Sequence, residues 1–248
     1  MNQEKKNLSG ARGTKFVSVS GKETPFAYVE AYKALRTNIG FLSNASGVRS
    51  ILVTSALPEE SKSTTSINLA LTLAGSGNSV VLVECDLRKP VLRKYLQREL
   101  GQTGLAAYLA GLVNLNECIV DLSDLGISVI GAGVVPPNPS ELLNSHRMQE
   151  LIETLKRNFD FVILDAPPVT VVTDAAVAGR MTDGAVLVVR SKFASARIIR
   201  QAKARLEHVG IRILGGVITR FDMKKSGWRG GYNYKNYEYG YGQPRGKR

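Results

Sequence analysis

A lysine and two hydroxyl residues stand together near the start of the apolar part of the chain. Lys62, Ser63 and Thr64 follow a short loop after the apolar run at 51–54, and an apolar helical pattern comes next. A strand, a loop, this triplet and a helix form the context that a phosphate-binding loop requires. In such loops the backbone amides and the helix N-terminus surround the phosphates. The lysine neutralises phosphate charge, and the first hydroxyl binds Mg²⁺.

The residues predicted to bind a nucleotide polyphosphate are Pro58, Glu59, Glu60, Ser61, Lys62, Ser63 and Thr64. This loop lacks the usual glycines, because the general pattern has glycine where this chain has Ala56 and Ser61. Glycine serves there because the loop needs positive φ and a close backbone approach. A side chain in that conformation costs about 1–2 kcal/mol, and Glu59 adds a negative charge beside the phosphates. The loop alone therefore leaves phosphate binding open.

Carboxylates follow two further apolar runs. Residues 80–83 lead into Glu84 and Asp86, and residues 161–164 lead into Asp165. The carboxyl ends of parallel strands lie at the edge of a sheet where ligands bind. An acid at the end of such a strand holds Mg²⁺, directly or through water, in phosphate-loop proteins. Polar turn residues would explain each acid alone, but they explain the set less well, so we predict a metal site at Ser63, Asp86 and Asp165.

The elements that must position these residues alternate along the chain from residue 50 onward. Short runs that are apolar on both faces are typical of strands buried between two helical layers. The predicted strands are 51–54, 80–83, 127–130, 161–164, 185–189 and 213–218, and the predicted helices are 26–42, 63–76, 90–98, 140–158, 173–180 and 195–208. Asn138 or Ser140 is the predicted cap of the fourth helix. The alternation predicts an α/β fold whose mainly parallel sheet has helices on both faces.

The first predicted helix carries a polar stripe. Glu30, Lys33 and Arg36 recur at steps of three, apart from the apolar positions that would pack on the sheet. A solvated face is one explanation for such a stripe, and an interface is the other.

Composition divides the 248 residues into three parts. Residues 1–24 are predicted to be a flexible segment, 25–222 one domain, and 223–248 a disordered basic tail. The formal charge is +12, which suggests an anionic partner. We expect a membrane surface and no nucleic acid, because the chain has no recognition-helix or base-stacking pattern. The sequence shows no apolar run long enough to span a membrane and no secretion signal, and Cys85 and Cys118 do not form a disulfide framework. We therefore expect the cytoplasm as the compartment.

The tail also concentrates tyrosine. Five of the nine tyrosines lie in the last 17 residues, at Tyr232, Tyr234, Tyr237, Tyr239 and Tyr241. A low-complexity or nucleic-acid-binding tail and a phosphorylation cluster both fit this composition.

In order, these motifs resemble the bacterial tyrosine kinases, phosphate-loop proteins that control capsule and exopolysaccharide assembly. The resemblance covers about residues 23–248. It rests on the segments 30–38 (EAYKALRTN), 54–64 (TSALPEESKST), 82–90 (LVECDLRKP), 136–143 (PPNPSELL) and 159–169 (FDFVILDAPPV), and on the tyrosine tail.

The resemblance implies a role for each matching residue. Lys62 and Ser63 match the Walker A motif, Glu84 and Asp86 the second Walker motif of these kinases, and Asp165 the Walker B motif. The residues with implied catalytic roles are Lys62, Glu84, Asp86 and Asp165, and Thr219 matches a position that contacts the adenine. The stripe of Glu30, Lys33 and Arg36 matches the motif that joins subunits into a ring.

The same resemblance implies cofactors and partners. The cofactors are ATP and Mg²⁺, and the product is phosphotyrosine on the protein's own tail. With no membrane span, the chain resembles the stand-alone cytoplasmic type, which a membrane-embedded polysaccharide co-polymerase adaptor activates at the inner face of the cell membrane. A tyrosine phosphatase would reverse the modification.

Four departures from the family cluster on the nucleotide. Glu59, Ser61, Glu84 and Thr219 stand where the family has Gly, Gly, Asp and Asn. They favour an alternative function, a weakly active or non-catalytic scaffold that a paralogous kinase phosphorylates. A partition- or septum-positioning ATPase of the related phosphate-loop group is a third interpretation, but those proteins have a lysine where this chain has Leu57.

Overall fold

The computed structural model describes residues 16–21, 23–101 and 103–221. The tyrosine cluster and most of the two predicted terminal segments therefore lie outside the described residues. Seven strands of the described part form one sheet in the order β3-β4-β2-β5-β1-β6-β7. They are β1 (Ser50–Ser55), β2 (Val80–Glu84), β3 (Ile119–Leu122), β4 (Ile127–Ile130), β5 (Phe161–Asp165), β6 (Gly184–Arg190) and β7 (Ile213–Thr219).

Parallel pairing dominates this sheet, which confirms the predicted α/β fold. The pairs β1–β5, β1–β6, β2–β4, β2–β5 and β6–β7 are parallel, and β3–β4 is antiparallel. All six predicted strands are present. The sequence prediction missed β3, because its four residues include an exposed aspartate and belong to an edge strand. Such a strand lacks the apolar run that marks a central one.

Eight α-helices of the described residues cover the sheet. They are α1 (Phe26–Ser46), α2 (Lys62–Ala74), α3 (Leu92–Leu96), α4 (Leu105–Leu109), α5 (Pro139–Leu143), α6 (His146–Asn158), α7 (Asp174–Gly179) and α8 (Ala196–His208). None of the helices in this part of the chain is long and apolar enough to span a bilayer.

The predicted helix at 140–158 is wrong as a single element. The chain breaks between α5 and α6 at Asn144 and Ser145, and the Ser145 side chain accepts the first α6 cap bond from the Met148 amide. Asn138 occupies the N-cap position of α5 without a side-chain cap bond, and the Ser140 hydroxyl donates to Asp174 instead. The stronger capping serine thus lies five residues further along than the predicted one.

The sheet separates two apolar clusters, because successive strand residues point to opposite faces. In β1, Ile51 and Val53 pack in the cluster that contains α1 and α2 residues, whereas Leu52 packs in the cluster with α6 and α8. All three side chains are fully buried. This arrangement places the carboxyl ends of the central strands β1, β2 and β5 between two helical layers.

The first described residues lie against α2. Asn68 of α2 is fully buried, accepts from the Val19 amide at 2.8 Å and donates to the Val17 carbonyl at 2.8 Å. Phe16 then stacks on the Tyr95 ring, with centroids 5.6 Å apart. The segment before α1 is therefore part of the wall beside α3.

Candidate functional site

The loop between β1 and α2 has the backbone conformation that glycine normally provides. Glu59 has φ of 64° and Ser61 has φ of 70°, both in the left-handed region. A residue with a Cβ costs about 1–2 kcal/mol there. The chain thus retains the shape of a phosphate loop at two positions where it has lost the glycine.

The buried side chain of Glu60 holds this loop in shape. Its carboxylate accepts from the Leu57 amide at 2.7 Å and from the Arg190 amide at 3.2 Å. The Thr219 hydroxyl donates to the Glu60 carbonyl at 3.0 Å. These bonds tie the loop to the ends of β6 and β7 and offset part of its backbone strain. The predicted nucleotide contacts of Glu60 and Thr219 stay predictions, because their side chains bind the loop and its neighbouring backbone.

Three residues predicted from separate motifs meet beside the loop. The Lys62 ammonium lies 3.1 Å from a carboxylate oxygen of Asp86 and 3.8 Å from one of Asp165. The Lys62 ammonium also donates to the Ser63 hydroxyl at 3.2 Å, and the Ser66 hydroxyl donates to Asp165 at 3.1 Å. A cation, two carboxylates and two hydroxyls are thus gathered at the N-terminus of α2. Thr64 is the third residue of this helix and is also buried.

Burial and charge shift the titration of this cluster. Burial raises the pKa of Asp165, and the Lys62 ammonium opposes this rise only in part. Burial alone would lower the pKa of Lys62, but Asp165 and Asp86 raise it overall. Lys62 therefore stays protonated at neutral pH. A further positive charge, such as a metal ion, would stabilise the ionised form of Asp165.

The site residues fit a magnesium ion. Asp165 Oδ2 is buried and has no hydrogen-bond partner. Mg²⁺ is usually held by one or two carboxylates together with waters and substrate phosphates. Asp86 and Asp165 match that donor set of two carboxylates. A site built from three or more His, Cys, Asp or Glu side chains is not found among the described residues.

The buried carboxylate of Glu84 accepts hydrogen bonds from three backbone amides. One carboxylate oxygen accepts from the amides of Val91 and Leu92, at 2.5 and 2.7 Å, and the other accepts from the Ala132 amide at 3.1 Å. Burial raises the pKa of Glu84, and the three amide bonds lower it in part. Glu84 therefore joins the start of α3 to the end of β4. Its catalytic assignment stays a prediction.

A cavity of about 440 Å³ adjoins the cluster. The phosphate loop forms one wall, α3 a second, and the segment after β5 a third. The lining residues include Glu59, Ser61, Lys62, Asp86, Arg88, Tyr95, Pro168 and Val171. The cavity thus offers charged groups to phosphates and apolar surface to a ring.

Sequence reasoning missed one charged residue beside this cavity. Asp174 begins α7, is fully buried and accepts from the cavity residue Arg88 at 2.8 and 3.2 Å. These two residues are 86 positions apart, and no local spacing pattern connects them. The only signal was an aspartate at a helix start, a position that more often serves as a cap.

The polar stripe of α1 is divided in the structure. Lys33 and Glu30 form an ion pair at 2.7 Å within the helix. Arg36 instead lines a separate polar pocket with Asn44 and Arg49, beside the start of β1. The structure therefore brings Glu30 and Lys33 together and places Arg36 apart from their ion pair.

Comparisons with known proteins show what the chain is similar to. A family model described as an AAA domain matches residues 59–209. The tyrosine-protein kinase YwqD of Bacillus subtilis is 35% identical over 207 residues, which cover 84% of this chain and 87% of that protein.

Solved structures are similar to the chain over most of its length. The kinase domain of the Escherichia coli tyrosine kinase ETK superposes with a TM-score of 0.74 at 36% identity, over 82% of this chain and 80% of that one. The septum site-determining protein MinD from Pyrococcus horikoshii, complexed with Mg-ADP, has a TM-score of 0.60 over 68% of this chain and 69% of that one. Its identity is 24%, so this likeness shows the fold alone.

Proposed function

This chain belongs to the bacterial tyrosine-protein kinases, and we propose that it transfers the terminal phosphate of ATP to tyrosine hydroxyls. The observation that carries the proposal is the cluster of Lys62, Asp86 and Asp165 beside a phosphate-loop backbone. Phosphoryl transfer depends mostly on positioning and on charge stabilisation, and this cluster supplies both.

Each residue of the cluster has a distinct task. Lys62 stays protonated beside two carboxylates and places its charge against the terminal phosphates. Asp86, Asp165 and the Ser63 hydroxyl would hold Mg²⁺. A Mg²⁺ ion held there would supply positive charge to the phosphate groups during transfer. Asp86 lines the cavity that an acceptor hydroxyl must enter, so it can also orient that hydroxyl.

The acceptor is proposed to be the chain's own tail. Tyr232, Tyr234, Tyr237, Tyr239 and Tyr241 supply a dense set of hydroxyls. Two of the four tyrosines outside the tail are less available, since Tyr32 is buried and the Tyr28 hydroxyl is hydrogen-bonded to Asn68 and Val17.

Assembly and location follow from the family resemblance. We propose that the chain acts in the cytoplasm as a ring of copies, recruited to the inner membrane face by a polysaccharide co-polymerase adaptor and by its basic tail. In this setting it would regulate capsule or exopolysaccharide export, and a tyrosine phosphatase would reset it. Glu30, Lys33 and Arg36 are the proposed ring contacts.

A scaffold without catalysis is the second candidate function. Glu59 and Ser61 favour it, because both residues line the cavity at positions where the family has glycine. In that case the tail is phosphorylated by another kinase.

Phosphotransfer by the purified full-length chain separates the two functions. We expect ATP with Mg²⁺ to yield phosphotyrosine, and Lys62→Met and Asp86→Asn each to reduce the yield at least about 100-fold. Lys156→Met, far from the cluster, is the control and should keep the parent rate. Absence of phosphotyrosine from the folded parent, alongside efficient phosphorylation of its tail by an active paralogue, would favour the scaffold.

A further inference from the structure

Three side chains form a closed set of hydrogen bonds beside the cavity, here named the Arg88 clamp. Asp174 accepts from Arg88 Nε at 2.8 Å through one oxygen and from Arg88 Nη2 at 3.2 Å through the other. The Ser140 hydroxyl donates to Asp174 at 2.5 Å and accepts from Arg88 Nη2 at 3.0 Å. The clamp therefore joins the β2–α3 loop to the first turns of α5 and α7.

The clamp has little freedom to rearrange. Asp174 is fully buried, and a buried carboxylate is costly unless a cation and hydrogen bonds compensate it. Arg88 supplies both through the planar fork of its guanidinium, which fixes distance and direction. Moving Arg88 away would leave Asp174 buried and without its cation.

The clamp lies within one short loop of the catalytic cluster. Asp86 is two residues before Arg88, and its side chain accepts from the Lys89 amide at 3.1 Å. Its other oxygen is the one 3.1 Å from Lys62. The loop is thus anchored at Arg88 on its outer side and faces Lys62 on its inner side.

We propose that Asp174 and Ser140 are positioning residues for phosphoryl transfer, which hold Arg88 and so fix the loop that presents Asp86 to Lys62 and the metal. The inference rests on the proposed function and extends it to two residues outside the motifs. Neither residue lines the cavity, so each acts through Arg88. The expected defect is therefore weakened metal-dependent binding, with the phosphate loop itself intact.

Calorimetry of ADP binding, with Mg²⁺ and with EDTA, tests this on the full-length chain. Changing a residue that orients a metal ligand lowers metal affinity about 10- to 100-fold. We expect Asp174→Asn and Ser140→Ala to reduce the Mg²⁺-dependent gain in ADP affinity about tenfold or more. Binding in EDTA should change less than about twofold, because the loop amides and Lys62 are unaltered.

Asp183→Asn is the matched control. Like Asp174, Asp183 pairs with a cation, in this case Lys156 at 2.7 Å. It also accepts from the Arg49 and Ser50 amides at 2.8 Å, at the opposite end of the strands. Its replacement should lower the melting temperature and leave the Mg²⁺-dependent gain unchanged. If the Arg88 clamp had only a structural role, its variants would show the same result as this control, a lower melting temperature with an unchanged Mg²⁺-dependent gain in ADP affinity.

Two outcomes would overturn the proposal: an unchanged Mg²⁺ gain in the folded clamp variants, or a parent that binds ADP equally with and without Mg²⁺. If Asp174→Asn does not fold, Ser140→Ala decides alone, since it removes a single hydroxyl. Phosphotransfer by the parent is scored separately. A parent that binds ADP with Mg²⁺ but transfers no phosphate would refute the proposed kinase activity, while the calorimetric comparison would still decide the clamp.

Discussion

At the scale of single residues, the phosphate loop separates two effects that the sequence combined. The left-handed backbone of Glu59 and Ser61 is a cost to folding, because it belongs to the folded loop. The charge of Glu59, in contrast, would act on a bound polyphosphate. The sequence alone indicated both effects together. The backbone angles separate them, because the strain should appear in the free energy of unfolding and the charge of Glu59 in the nucleotide affinity.

Restoring the glycines should therefore change binding and stability through different residues. We expect Glu59→Gly with Ser61→Gly to tighten ATP·Mg²⁺ binding at least about tenfold, roughly 1.4 kcal/mol. Glu59→Gln should give most of that gain, whereas Ser61→Gly alone should mainly raise the free energy of unfolding. Calorimetry and denaturant titration measure the two quantities, and Lys62→Met on the repaired chain is the control that should abolish the gain. Tight binding by the parent, unchanged on repair, would contradict the expected effect of the charge.

A second residue prediction concerns the buried Asp165. Burial raises its pKa despite the nearby Lys62, so its ionised form destabilises the fold. Because the folded pKa lies above the unfolded one, the parent loses stability as pH rises between the two values. We expect Asp165→Asn to raise the melting temperature at pH 7, and the difference to shrink as pH falls through the folded pKa. The same change should abolish Mg²⁺-dependent ADP binding.

Asp183 is the control for Asp165, because its pKa is shifted in the opposite direction. Burial alone would raise its pKa, but Lys156 and the amides of Ser50 and Arg49 lower it overall. Asp183→Asn should therefore reduce stability at pH 7, and the deficit should shrink as pH falls through the folded pKa. Thermal melting from pH 8 down to below pH 3 checks both variants. A lower melting temperature for Asp165→Asn at neutral pH would mean that the Lys62–Asp165 pair is net stabilising.

At the scale of elements, the parallel strands could be predicted and the small edge elements could not. The central strands β1, β2 and β5 are apolar on both faces, and that composition marks them in the sequence. In contrast, β3 owes its conformation to pairing with β4, a contact that a single sequence does not show. The same limit explains Asp174, whose partners Arg88 and Ser140 come from other segments of the fold.

The polar stripe of α1 yields a prediction at this scale. Glu30 and Lys33 satisfy each other within the helix, so Arg36 is the stripe residue outside that ion pair. If the stripe is a subunit contact, Glu30→Ala with Arg36→Ala should leave the melting temperature within about 2 °C and reduce the mass of the oligomer. Light scattering at matched concentration measures the mass.

The pair Lys203 and Glu207 on α8 is the matched control for the stripe. It is also exposed on a helix and lies at 3.4 Å, so Lys203→Ala with Glu207→Ala removes comparable charges elsewhere. That variant should keep the parent mass. Equal mass for the stripe variant and the parent would mean that the stripe is a solvated face.

At the scale of the whole molecule, charge is distributed unevenly. The chain carries +12, and residues 224–248 contribute seven Lys and Arg against one Glu, a net +6. Phosphorylation adds about −1.5 to −2 charges per tyrosine at neutral pH. Four modified tyrosines would therefore cancel or reverse the charge of the tail, so the modification can control its attraction to an anionic surface.

The last prediction is that phosphotyrosine formed in the native host maps to Tyr232–Tyr241. The reason is the density of hydroxyls in the tail, where five tyrosines lie within ten residues, whereas Tyr32 is buried and the Tyr28 hydroxyl is hydrogen-bonded to Asn68 and Val17. Peptide mass spectrometry locates the sites. Replacing the five tail tyrosines with phenylalanine should remove most of the phosphotyrosine while ATP·Mg²⁺ binding stays within about twofold, because the phosphate loop is unchanged. Phosphate found mainly on Tyr28, Tyr32, Tyr95 or Tyr108 would contradict the tail as acceptor.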